Sequence, residues 1–174
     1  MNKVTFLSRL QRERDKFENL LNQVGFTRQM TMAGVSGNLS IKDLLADILT
    51  REQFISDRLN EILHGESYWT STSHTALDNF QKDNGYPDYE SPLCEKEKIN
   101  HLVIYKYKNI GLDDIVEQEL AAYASIQSTM IKLTYNQYLD HDLFHRVAEH
   151  TYKPYRRASM EINRWLKSLE TEIK

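Results

Sequence analysis

Apolar residues along this chain recur at helical rather than alternating spacing, and four stretches carry the pattern far enough for long amphipathic helices. In the first, Leu7, Leu10, Phe17, Leu21 and Val24 share a face that Arg14 interrupts, and Gly25 follows as a stop signal. After a loop through residues 30–37, the second runs on Ile41, Leu44, Leu45, Ile48, Ile55, Leu59 and Ile62 and ends near His64-Gly65. Ser40 stands at its N-cap position, with Asp43 three residues on, where a carboxylate can reach back and close a capping box. The third covers about Leu112 to Thr134 on Leu112, Ile115, Val116, Tyr123, Ile126, Met130 and Leu133. The last is predicted to begin around Thr151, since Pro154 is tolerated in a first turn, and buries Tyr155, Ala158, Ile162, Leu166 and Leu169.

Between the second and third helices the pattern breaks down. Residues 66–92 are turn formers and aromatics, with Tyr68-Trp69 and Asn84-Gly85-Tyr86-Pro87 among them, and predict a long irregular connection of the kind that serves as a lid or binding loop. A short helical stretch from Glu97 to about Lys108 interrupts this crossover, and residues 136–142 read as an interhelical turn. The expected architecture is all-α: a single domain over residues 1–174, built as a four-helix bundle with one long crossover between helices two and three.

Composition narrows the classes. A chain of 174 residues buries roughly two thirds of the surface its unfolded form exposes, so it needs no staple. Cys94 stands alone, which excludes an intramolecular disulfide and fits a reducing compartment, and its polar setting marks no activated thiol. The net charge of -3 is mixed along the chain and offers no broad footprint for a nucleic acid. Only Lys153, Arg156, Arg157, Arg164 and Lys167 on the last helix form a basic run that could contact DNA, and a solvated helix face explains them at least as well. No apolar stretch is long enough to span a bilayer, and charges at residues 9–15 break up any signal-peptide core, so a cytoplasmic location without membrane contact is expected. A Gly-rich phosphate loop, a nucleophile elbow and a CxxC pair are all missing.

Several polar residues sit where the helical wheel makes them informative. Glu52 falls between Ile48 and Ile55, and Glu119 between Ile115 and Tyr123, so both can face the bundle interior, where a carboxylate must be paired, hydrogen-bonded or protonated. The alternative is a helix rotation that lets them reach solvent or an arginine. Asp47 lies on the flank of its stripe, four residues before Arg51, a spacing that also suits an ordinary surface ion pair. His141 and His145 have i,i+4 spacing, but in a turn that spacing carries little weight as a metal signal. His64, next to Gly65, suits a cation at a helix C-terminus.

Three sets of residues, in order along the chain, carry a family resemblance. They are Leu39-Ser40-Ile41-Lys42-Asp43-Leu44-Leu45; Ile99-Asn100 with Ile104-Tyr105-Lys106-Tyr107-Lys108-Asn109 and Leu112-Asp113-Asp114-Ile115; and His150-Thr151, Tyr155, Ala158, Ile162 and Trp165. Together they resemble the DinB-like four-helix bundle superfamily and, within it, the ClbS/DfsB-like family. The resemblance implies a cytoplasmic bacterial protein that binds or hydrolyses a small reactive, electrophilic metabolite in a cleft between helices two and four, in self-protection or detoxification. In the colibactin type the step is hydrolytic opening of a cyclopropane. Metal-binding relatives place three histidines at the positions that are here Asp47, His150 and Pro154; proline cannot coordinate, so the triad is broken, and no metal or other cofactor is expected, the alternative being a weak site of Asp47, His150 and water.

Opening a strained ring with water requires a polarising acid and a base or carboxylate that positions the water. Asp47, His150 and Tyr155 are the catalytic candidates, making the chain a candidate metal-independent hydrolase. Glu52, Trp69, Asn100, Glu119 and Tyr152 are the binding candidates, Tyr152 doubling as a phenol donor. The alternative is a non-catalytic small-ligand binding or dimerisation module, with the Tyr- and Trp-bearing crossover as lid or dimer contact. Because relatives of this fold often pair, the resemblance also implies a homodimer.

Overall fold

Polar side chains set the ends of the long helices in the computed structural model, which describes residues 1–25 and 27–173. Helix α1 (Lys3–Val24) starts where the Asn2 side chain accepts from the Thr5 N–H at 2.8 Å and stops at Gly25, whose φ of 75° suits glycine. After the single turn α2 (Thr27–Met30), helix α3 (Ile41–Leu63) opens on the expected capping box. There the Asp43 N–H donates to Ser40 Oγ at 3.2 Å, and the Ser40 N–H to Asp43 Oδ2 at 2.9 Å. Next come α4 (His74–Asn84), α5 (His101–Tyr107), α6 (Leu112–Lys132), α7 (Tyr135–Asp140), α8 (Leu143–His150) and α9 (Tyr152–Ile173). The protein is all-α; among the described residues the only β pairing is an isolated bridge between Ser36 and Leu39.

The long helices share one core. Helix α3 lies along α6, α1 along α9, and α3 also meets α5, α8 and α9. Phe6, Leu10 and Phe17 of α1, Leu49, Ile55 and Leu59 of α3, Ile115, Ile126 and Met130 of α6 and Ile162 of α9 are buried in it. Each such side chain contributes roughly 1.5–3 kcal/mol through burial. Among the described residues, no helix is long and apolar enough to cross a membrane.

Two segments depart from the sequence expectation. The crossover is not irregular throughout: α4 occupies 11 of its residues, capped by Ser73, whose Oγ accepts from the Ala76 N–H at 3.2 Å, and closed by Gly85 at a left-handed φ of 77°. Nor does it stand open. Tyr86 and Tyr89 are buried against Phe54 of α3, with ring centroids 5.9 and 5.7 Å away, and Phe80 stacks on Tyr86 at 5.8 Å. Asp88, fully buried, ties the segment together by accepting from the Tyr68 hydroxyl, the Ser71 N–H and the Glu90 N–H. The second departure is the stretch before the last helix. Residues 135–150 form α7 and α8, joined through Asp142, a non-glycine residue at φ 52°. His150 therefore ends α8, and α9 begins at Tyr152, close to the expected start around Thr151, with Pro154 in its first turn.

Candidate functional site

Four candidate residues divide between the middle of the bundle and its surface. Glu52, Glu119 and Tyr155 converge at the centre, where the missing partner is Arg14, the residue that interrupts the apolar stripe of α1. The Arg14 guanidinium donates to both oxygens of Glu119, through Nη2 at 2.6 Å and through Nη1, and its Nη1 lies 3.5 Å from Glu52 Oε2 and 3.2 Å from the Tyr155 hydroxyl. Tyr155 donates to Glu52 Oε2 at 2.6 Å and stacks on Phe17 at 5.0 Å. One residue from each of the four long helices thus meets in a closed polar layer. Glu52 Oε1 has no donor, and burial, followed by the neighbouring Glu119 carboxylate, pushes its pKa well above the ordinary carboxylate range. Burial and Glu52 likewise hold the Tyr155 phenol protonated. The fourth residue, Trp69, is 85% exposed on the crossover.

Asp47 lines a cavity of about 470 Å³ between α3 and α9, closed at its sides by residues 36–39 and 97–99. It lies between the second and fourth long helices. Its walls are mostly apolar, from Leu39, Leu44, Ile48, Ile99, Pro154 and Ala158, with Asp47, Arg51 and Arg157 as the inner polar groups. The expected ion pair forms, Arg51 Nε donating to Asp47 Oδ2 at 3.0 Å, but it is buried and not on the surface. Tyr89 of the crossover covers it, with the Arg51 guanidinium 4.6 Å from the ring centroid, and the Lys98 carbonyl accepts from Arg51 at 3.4 Å. Asp47 Oδ1 is buried without a hydrogen-bond donor. Burial raises the Asp47 pKa, and Arg51 offsets part of the rise.

His150 belongs to a different cavity, of about 510 Å³, shared with Tyr68, Thr70, Glu90, Lys96, Arg146 and Glu149. Its ring packs on Phe54 at 5.1 Å and Tyr89 at 6.2 Å, Nε2 lies 3.8 Å from Glu90 Oε2, and Nδ1 is buried without a partner. Arg146 grips Glu90 with two bonds of 2.7 and 2.6 Å. Burial lowers the His150 pKa against the pull of Glu90; burial also opposes the Glu90 carboxylate, yet His150 and Arg146 hold its pKa down to about 2. Tyr89 stands between the two cavities, and no hydrogen bond or ion pair joins Asp47 to His150 among the described residues.

The remaining candidates have structural partners. Asn100 caps α5, its Oδ1 accepting from the Leu102 N–H at 2.8 Å. Tyr152 is buried against Phe6 at 6.4 Å, with the Arg9 and Arg156 guanidinium groups over its ring at 5.0 and 5.1 Å. The basic run of α9 is largely paired: Arg156 with Glu13, Lys153 with Glu149, and Arg164 with Glu161. Cys94 is half-buried, and burial pushes its thiol pKa up. The divalent-metal set of the resembled superfamily does not fit these residues: Arg51 occupies Asp47, His150 faces Glu90 in the other cavity, and Pro154 has no donor. Among the described residues, no group of three or more His, Cys, Asp or Glu side chains is placed to hold a metal ion.

Glu90, Arg146, Arg14 and the burial of Arg51 escaped the sequence reading. For Arg14 a signal existed, since a cation inside an apolar stripe is the natural counter-charge for carboxylates in facing stripes. Glu90 and Arg146 meet only through the fold. No protein-family model matches the chain, and no curated protein or solved structure matches it significantly.

Proposed function

We propose that the chain is a DinB-like bundle of the ClbS/DfsB type that binds a small, largely apolar metabolite in the α3–α9 cavity, with Asp47 as its polar anchor. The observation that carries this reading is Asp47 Oδ1, a buried carboxylate oxygen without a donor, beside a cavity of ligand size whose walls are largely apolar. A ligand hydroxyl or amide N–H can satisfy it. Binding is the better-supported half of the role, because a two-residue acid–base step would need Asp47 and His150 on one substrate, and they line separate cavities.

Hydrolysis of a reactive electrophile rests in this reading on Asp47 alone. Burial keeps its carboxyl more basic than usual, which suits a group that positions or deprotonates water beside a strained ring. Tyr155 and Glu52, bonded to one another in the bundle centre, line neither of these two cavities.

The test is binding and turnover across a panel of small neutral epoxides and cyclopropanes that each carry a hydroxyl or amide group, with the wild type and Asp47→Asn. Binding to the wild type that weakens about tenfold or more in Asp47→Asn is expected from the loss of a hydrogen bond to a charged group. Turnover that disappears in Asp47→Asn assigns the enzymatic role. A loss of turnover that requires His150→Ala as well would return His150 to the site, and binding unaffected by Asp47→Asn would overturn the assignment of this cavity.

A further inference from the structure

Arg157 is the one guanidinium lining the α3–α9 cavity that has no hydrogen bond or ion pair among the described residues. The other charges there are accounted for. Arg51 is held by Asp47, the Lys98 carbonyl and the Tyr89 ring; Lys98, whose side chain is 76% exposed, pairs with Glu95 at 3.2 Å; Glu161 pairs with Arg164 at 3.4 Å; and Glu97 is exposed to water. Arg157 is half-buried in the second turn of α9, opposite Asp47 and Arg51. Burial and the nearby Arg51 charge disfavour its cationic form by more than the Asp47, Glu97 and Glu149 charges favour it, and none of those carboxylates bonds to it. Leaving such a group partly desolvated and unpaired is unfavourable, and an anion delivered by a ligand removes that cost.

We propose that the ligand of this cavity is a monoanionic carboxylate on an apolar body, its carboxylate gripped by Arg157 and its body seated on Leu39, Leu44, Ile48 and Ile99. This rests on the α3–α9 cavity being the ligand site. The planar guanidinium fork matches a carboxylate bidentately. A dianion is disfavoured, because Asp47, Glu97 and Glu161 border the same cavity and only one cation there is free.

Calorimetric titration of octanoate, octanamide and octyl phosphate into the wild type, Arg157→Leu, Arg157→Lys and Asp47→Asn tests the proposal, with thermal melts confirming that each variant is folded. The wild type should bind octanoate at least tenfold more tightly than octanamide, and octyl phosphate no more tightly than octanoate. Arg157→Leu should bring octanoate and octanamide within about twofold of each other, while Arg157→Lys keeps part of the preference. Equal affinity of the wild type for octanoate and octanamide, a preference that survives in Arg157→Leu, or tighter binding of octyl phosphate would each overturn it. Equal affinities, with octanamide binding falling in Asp47→Asn, would leave the cavity as a ligand site and remove only the anion; no binding by any of the three probes would remove both.

Discussion

Arg14, Glu52, Glu119 and Tyr155 put two carboxyls, one guanidinium and one phenol inside the bundle, and the charges cannot all balance with both carboxyls ionised. Glu52 is the carboxyl pushed upward, so the folded chain favours its protonated form. A folded pKa raised above the ordinary value gives a contribution that is complete below that value, near 4.5, and is lost as the pH rises toward the folded pKa. Glu52→Gln, which mimics the protonated form, should therefore unfold at a higher urea concentration than the wild type at pH 8, a gain of about 1 kcal/mol or more, and lose that advantage at pH 5. Arg14→Leu strands Glu119 and should cost about 3–5 kcal/mol in the same assay. A Glu52→Gln protein destabilised equally at both pH values would contradict the assignment. His150 has the opposite sign: with a folded pKa below 6.5, its contribution is complete above 6.5 and falls away as the pH drops. An NMR titration should find the His150 imidazole below its ordinary value, and lower still in Glu90→Gln, because Glu90 is the group that opposes the shift.

At the scale of elements, what the sequence made legible and what it hid have physical causes. Helices α1, α3, α6 and α9 were visible because each carries a long apolar stripe, and α3 had its capping box written in Ser40 and Asp43. Ser40→Ala should cost about 1 kcal/mol in thermal or urea unfolding, without moving the folded-state spectrum. Helix α4 was missed although Ser73, Leu77, Phe80 and Gly85 mark a cap, a short stripe and a stop; its single exposed face and its flanking turn residues diluted the pattern. Helix α8 was hidden by its length of 8 residues and by Asp142, whose left-handed backbone is a local choice no periodicity reports. The candidate site divides along the same line. For Glu52 and Glu119 the wheel offered the inward position, which needs only their own helix, but left open a rotation toward solvent or an arginine, because Arg14 comes from another helix. The surface ion pair was one open reading of Asp47 and Arg51 because the wheel cannot see Tyr89 and residues 97–99 closing over them, and His150 came to the cleft through the family resemblance, which carries no information on the cavity it lines here.

At the scale of the molecule, α3 is the shared wall. Its Asp47 and Arg51 face the α9 cavity, its Glu52 the bundle centre, and its Phe54 the aromatic packing under the crossover and His150. Tyr89 of the crossover packs against both Arg51, which lines the Asp47 cavity, and His150, which lines another. The two residues the family resemblance would join thus line separate cavities, and the proposed ligand-binding cleft is the one with Asp47 and Arg157. The most direct measurement is a crystal structure soaked with a panel of small carboxylate and neutral fragments. Fragments in the α3–α9 cavity, with a donor on Asp47 Oδ1 and carboxylates on Arg157, are the expected result; fragments gathered only beside Glu90 and His150, with the α3–α9 cavity vacant, would contradict it.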